Sequence, residues 1–423
     1  MYKSKTPDDA VKVIKSNDRV YIQAAAAAPQ ALINAMSARH EELRNVEVCH
    51  LHIEGDAPYS DPKFSESFHV NSFFIGPNVR HTLKAGNGSY TPVFLSELPL
   101  LFKRNIIQLD IALIQVSPPD KHGYCSLGVT VAATLAAIAN AKHVIAQINP
   151  NMPRTHGDGI IHYTEFDTFV EVNEPLHYHD PVKPTDDEEK IGDFIAELIE
   201  DKSTLQMGIG NIPNAVLTRL GNHKDLGLHT EMFSDGVIDL ILNDVINGNY
   251  KGINPGRAMA TFLMGSKRLF DYVDDNPFIE MREADFVNRV GIIMQNPRMV
   301  AINSAVEIDV TGQVCADSIG MNLFSGVGGQ MDFIRGASLS EGGKAIIALP
   351  SVTKKGVNRI VPFLKPGAGV VTTRAHIHYV VTEYGVANLY GKTIKQRVKA
   401  LTEIAHPDFR EQIAKDYFDK KLR

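Results

Sequence analysis

The sequence contains no tryptophan, and aromatic residues make up only 8% of its 423 positions. Cysteine is nearly as scarce. Cys49, Cys125 and Cys315 are too few and too widely spaced to form a disulfide framework, which points to a reducing compartment, the cytoplasm. Long apolar runs are also missing. The least polar stretch, 129–139, is too short to cross a bilayer and holds two threonines, so it reads as an Ala-rich helix within 129–140. The first nine residues carry lysines and aspartates but no apolar core, so they are not expected to be a secretion signal. A net charge of −6 provides no basic surface for nucleic acid.

Hydrophobic residues at 44% and charged residues at 22% describe a globular chain, and its length suggests two domains. Short β-branched runs at 19–23, 46–51, 110–115 and 143–147 read as strands. Helical segments such as 29–44 lie between them. This alternation predicts an α/β fold with largely parallel sheets flanked by helices. Pro175, Pro181 and Pro184 mark a linker, and the acidic run 186–189 opens a helix expected over 188–201.

Beyond the linker the first half's pattern returns. Residues 20–32, with five alanines before Pro29, parallel 205–216, with GIGNIP ending at Pro213. The turn from Asp120 through Gly123 to Cys125 parallels that from Asp309 through Gly312 to Cys315. A third match relates 143–146 and 160–163 to 345–348 and 377–379. Three matches in the same order predict two related open α/β domains, 1–185 and 186–423, with the active site in a cleft between them.

Three segments can carry chemistry. The glycines of Gly208-Ile209-Gly210-Asn211-Ile212 follow a strand and open a helix, where backbone N–H groups favour negative charge. The turn resembles a dinucleotide fingerprint, with Glu231 near the ribose-binding position, but Pro213 replaces the third glycine. A dehydrogenase is therefore a rival reading. Glu231 itself ends a short apolar strand, 226–228, beside Met232 and Phe233. A carboxylate so placed is poorly solvated and more nucleophilic, yet a helix cap or a partner of a nearby base has the same sequence. The loop 325–333 places three glycines in four residues between apolar anchors. Histidine pairs at 50/52, 177/179 and 376/378 lack a third ligand at a suitable spacing, so no metal site is expected.

Taken together, His229-Thr-Glu-Met232, GIGNIP, 325–333 and Val381-Thr-Glu-Tyr-Gly385 resemble the acetyl-CoA hydrolase/transferase family of the class I CoA-transferases. Within it the likeness is greatest to the 4-hydroxybutyrate and butyrate:acetate CoA-transferases. The resemblance runs along essentially the whole chain and implies short-chain fatty acid metabolism of the kind found in fermentation.

By that resemblance, Glu231 is the nucleophile that comes to carry CoA as a glutamyl thioester. Residues 208–212 (Gly208, Ile209, Gly210, Asn211, Ile212) form a CoA-binding and oxyanion turn, and Gly328 or Gly329 a second donor. Asn303 and Glu383 orient the reacting groups, and Lys354 or Lys355 meets CoA phosphates unless it is simply solvated. The resemblance further implies a homodimer without metal or a permanently bound cofactor, with acyl-CoA and small carboxylic acids as substrates. A hydrolase using the same glutamate, and a non-catalytic acyl-CoA sensor, remain as alternatives.

Overall fold

A computed structural model describes residues 3–208 and 210–421. The chain forms two compact units. One comprises 1–180, 233–235 and 259–287, and the other 181–232, 236–258 and 288–423. The units are thus not the two continuous segments, 1–185 and 186–423, expected from the linker. Residues 259–287 join the first unit through specific bonds. Lys103 Nζ pairs with Glu283 (2.5 Å) and Asp285 (2.8 Å), Glu283 accepts the Ala136 N–H, and Met281 pairs with Gly157 in a parallel ladder.

The first unit is built on eight strands in the order Ser4–Lys5, Thr168–Glu171, His143–Ile148, Ile111–Val116, Arg19–Ile22, Val46–His50, Phe68–Ser72 and Gly88–Tyr90. Every pairing is parallel, as the near-continuous apolar runs require of strands covered on both faces. Val20, Ile22, Leu113, Val48 and Val70 form a core with Leu32, Ile33 and Met36 of the helix Gln30–Ala38. That helix is shorter than the expected 29–44, because after Ala38 only Leu43 continues an apolar face. The Ala-rich helix is likewise only Thr134–Asn140. The Val131 and Ala132 N–H groups donate to the Thr261 carbonyl, which draws 129–133 out of the helix.

The second unit holds a six-stranded sheet in the order Gly227–Leu228, Thr204–Met207, Met299–Asn303, Lys344–Ala348, Tyr379–Thr382 and Gly385–Asn388. The first five run parallel, and the last returns as an antiparallel hairpin. Its first helix spans Asp186–Leu198, two residues earlier than expected. Thr185 is the cap, and a reciprocal bond with Glu188 closes the capping box (2.8 and 3.3 Å).

The repeated Asp-x-x-Gly turns are built alike. Asp120 Oδ1 accepts from the N–H groups of His122 and Tyr124, and Asp309 Oδ1 from those of Thr311 and Gln313. In each turn the glycine N–H closes on the aspartate carbonyl at 2.9 Å. No helix among the described residues is long and apolar enough to cross a membrane.

Candidate active site

In an open parallel sheet, ligands bind beyond the carboxyl ends of the strands, where loops diverge and helices begin. The second unit places most of the polar residues singled out above along that edge. Gly208 follows Thr204–Met207, Glu231 follows Gly227–Leu228, Asn303 ends Met299–Asn303, and Glu383 follows Tyr379–Thr382.

The segment 229–232 is tied down residue by residue. The buried His229 gives its N–H to the Leu205 carbonyl and its Nδ1 meets Asn296 Nδ2 at 3.2 Å. The Thr230 hydroxyl accepts the Met207 N–H at 3.3 Å and lies 2.8 Å from the Met232 carbonyl. This leaves Glu231 little freedom beside the start of the GIGNIP turn.

Two donors reach the Glu231 carboxylate. One is Asn288 Nδ2, 3.2 Å from Oε2, and the other is the Gly329 backbone N–H. Burial pushes the carboxyl up to about 7, and these donors pull the other way without cancelling it. Part of the residue remains exposed, so the group is desolvated without being sealed. Gly329 caps the helix Gln330–Leu339. A Cβ built on it would lie 1.8 Å from Glu231 Oε2 and 2.1 Å from Asn288 Nδ2. Only glycine leaves room for the carboxylate at that helix start. Of the two glycines expected to supply a donor, Gly329 is the one that abuts Glu231 and whose N–H lowers its carboxyl pKa; Gly328 precedes it with φ +57°.

Gly208 has a different part from the one expected of an oxyanion turn. Its N–H donates to the Ile302 carbonyl at 2.8 Å, continuing the sheet, and a Cβ there would come within 3.0 Å of that carbonyl. Gly208 therefore provides close packing against Asn303. Gly210 caps the helix Asn211–Leu217 with φ +122°, a conformation suited to glycine. The expectation for Ile209 lies outside the described residues.

Asn303 and Glu383 are buried but held by other partners. Asn303 exchanges hydrogen bonds with Gln206 (2.8 and 3.3 Å), and Glu383 accepts from the Ser351 N–H (2.8 Å) and Oγ (2.5 Å). Their strands are two places apart, roughly 10 Å. Neither is joined to Glu231 by a hydrogen bond among those described.

A cleft of about 350 Å³ opens over the second, third and fourth strands of this sheet. Gly210, Asn211, Ile212, Ser304, Thr353, Lys354 and Arg359 line it, with Glu188 on the helix side. Four expected CoA contacts therefore meet in one concavity. Arg359 also lies there, held by its Nε at 3.0 Å from the Val306 carbonyl; burial pulls its guanidinium below the usual range.

The histidine pairs engage other partners one at a time. His50 Nε2 meets the Tyr59 hydroxyl at 2.8 Å, His179 pairs with Glu54, and His376 Nδ1 meets Thr373 Oγ1.

Asn288 and its neighbour Asp332 were not legible as site residues. Asn288 sits in an ordinary run after Phe286 and Val287, 57 positions from Glu231. For Asp332, the only available signal was its place three residues after Gly329.

Residues 1–177 match the acetyl-CoA hydrolase/transferase N-terminal domain, and 265–417 match the C-terminal domain of the same family. The chain belongs to the acetyl-CoA hydrolase/transferase family. A succinyl-CoA:acetate/propanoyl-CoA:succinate CoA transferase of Fasciola hepatica is 49% identical, over 98% of this chain and 87% of its own. A 4-hydroxybutyrate coenzyme A transferase of Clostridium kluyveri is 48% identical, over 99% and 98%. A solved 4-hydroxybutyrate CoA-transferase structure from Porphyromonas gingivalis superposes with a TM-score of 0.85 at 40% identity, covering 99% and 98% of the two chains. Membership in this family thus agrees with the resemblance carried by the motifs.

Proposed function

We propose that the protein is a CoA-transferase that moves CoA between acetyl-CoA, or another short acyl-CoA, and a short-chain carboxylate such as 4-hydroxybutyrate or butyrate. The observation that carries this reading is the Glu231 carboxylate, desolvated to a pKa of about 7 and bonded to Asn288 and the Gly329 N–H. A carboxylate of that basicity is a better nucleophile than a solvated one, and is half ionised near neutrality.

The chemistry follows from this arrangement. A Glu231 oxygen attacks the acyl carbon, the C–S bond breaks, and CoA leaves as the thiolate with a mixed anhydride left behind. The thiolate then attacks the glutamyl carbonyl. The bond to the acyl-bearing oxygen breaks, the donor acid departs with that oxygen, and a glutamyl-CoA thioester remains. An incoming carboxylate reverses the sequence.

Both steps pass through an oxyanion. Asn288, preplaced on Oε2, stabilises it in the second step when that oxygen is the one that stays, with the Gly329 N–H beside the same carboxylate. We place the phosphates of CoA in the cleft over Gly210–Ile212, beside Lys354 and Arg359 and away from the carboxylates of Asp187 and Glu188 that line its helix side. CoA is then a substrate and no cofactor is permanently bound. Homodimerisation and a cytoplasmic location complete the reading.

The test is chemical. Incubation with acetyl-CoA followed by borohydride reduces a glutamyl thioester and inactivates the enzyme, with the modification at Glu231. Acetate, propionate, butyrate, 4-hydroxybutyrate and succinate offered as acceptors rank the acids. Intersecting kinetics without label overturn the mechanism. Label with water as the only effective acceptor would make the protein a hydrolase.

A further inference from the structure

Asn288 is held between two carboxylates. Its Nδ2 lies 3.2 Å from Glu231 Oε2 and 3.4 Å from Asp332 Oδ2, and both Asn288 and Asp332 are buried. Its Oδ1 is also buried, with no hydrogen-bond partner. A side-chain amide has a donor end and an acceptor end of nearly the same shape, so packing alone does not choose between them. Here the neighbours choose. Carboxylates on two sides accept hydrogen bonds, and only the NH2 end can satisfy both.

Asp332 is the third residue of the helix Gln330–Leu339, in the first turn, where negative charge is favoured. The same helix start supplies the Gly329 N–H to Glu231. One turn of helix therefore delivers one donor to the glutamate directly and fixes the other through Asn288.

We infer that Asp332 is a positioning residue for CoA transfer: by accepting from Asn288 Nδ2 it keeps the amide N–H pointed at Glu231 Oε2. The inference rests on Glu231 being the nucleophile. In the anhydride and the thioester Oε2 is the carbonyl oxygen that gains charge at each attack. An amide turned the other way would set Oδ1 against that charge. Besides Asp332 from the helix, the titratable side chain nearest in sequence is His229, two residues before Glu231 and engaged with Asn296. The unpartnered Oδ1 fits this account, since the orientation is enforced entirely from the donor end.

The test is Asp332→Asn, measured on the full chain alongside Glu231→Gln. An asparagine at 332 can donate to Asn288 Oδ1 and let the amide turn. We expect kcat to fall roughly 10²-fold, the effect of losing one oxyanion donor, with KM changed much less. Loss of a donor raises the pH–rate midpoint while loss of the Asp332 charge lowers it, so the kcat loss at nearly constant KM is the deciding readout. In an Asn288→Ala background the same change should slow the enzyme no further. Unchanged kcat per folded molecule, with Glu231→Gln inactive, overturns the role of Asp332 and leaves that of Glu231 intact. Transfer by a verified Glu231→Gln overturns both. A lowered Tm with normal kcat assigns Asp332 to packing. If Asp332→Asn does not fold, Asp332→Ser also leaves the amide unheld, and the same outcomes apply.

Discussion

Glu231 and Glu383 are both glutamates beyond the carboxyl ends of strands in the same six-stranded sheet, and they are held by different kinds of partner. Ser351 meets both oxygens of Glu383, one through its N–H and the other through its hydroxyl. That carboxylate is fixed by donors from a single neighbouring residue. Glu231 receives its two donors from distant parts of the chain, one a side-chain amide shared with Asp332 and the other a helix-start N–H, and burial raises its pKa to about 7. The two carboxylates accept equally many hydrogen bonds, so what separates them is where the donors come from: one neighbouring residue fixes Glu383, while two separate segments reach Glu231.

Neutralising each glutamate separates the two roles. Glu231→Gln removes the nucleophile, and transfer should fall by ~10³-fold or more, measured as CoA exchange between acetyl-CoA and butyrate, with CoA still binding. Gly329→Ala comes next. The new methyl group would occupy the position of Glu231 Oε2, so the carboxylate must move; a misplacement of about 1 Å costs on the order of 10²-fold in rate. Its melting temperature should change far less than its turnover. The pH dependence follows from the raised pKa. Since the ionised form attacks, kcat/KM should climb about tenfold per pH unit below pH 7 and level off above it. A flat profile from pH 5 to 8 would remove Glu231 from the titrating step.

Glu383→Gln should show itself in the melting curve. The amide oxygen can keep the Ser351 N–H while the hydroxyl turns to accept from the amide N–H, so two charge-assisted bonds become neutral ones, at a cost of about 1 kcal/mol. The loss should shrink when Ser351→Ala removes the hydroxyl. An unchanged Tm for Glu383→Gln would mean that Glu383 does not anchor the Ser351 loop.

Why some of this was legible in the sequence, and some not, has physical causes. Parallel strands covered on both faces must be continuously apolar, so Ile111–Val116 and His143–Ile148 stand out. Glu231 and Gly329 belong to short motifs whose residue types answer a local need, for a strand-end carboxylate and for a helix start without a Cβ. Asn288 has no such motif. Its function depends on which carboxylates come to surround it, across 57 positions to Glu231 and 44 to Asp332. The helix limits failed for a related reason. Composition proposes 129–140, but the Thr261 carbonyl competes for the first donors. The first unit, too, is assembled across chain order by pairs within it such as Lys103 and Glu283, which no linker composition reveals.

The smallest effect concerns stability, and it sharpens the contrast from the other side. The folded-state pKa of Glu231, about 7, lies above the ordinary value of 4.5, so the folded protein holds that proton more tightly than the unfolded chain. Any stability this group contributes is present below pH 4.5 and is lost as pH rises through 7. At pH 8 the native state carries a desolvated charge that the unfolded chain would solvate. Glu231→Gln removes that charge, and its amide oxygen can still accept from Asn288 and Gly329. The inactive variant should therefore melt higher than the parent at pH 8, by on the order of a few degrees in a chain of this size. The gap should close as pH approaches 4.5. Glu383→Gln should lower Tm over the same range. If both substitutions lower Tm equally at pH 8, burial does not disfavour the charge at Glu231, and the two glutamates are anchors of one kind.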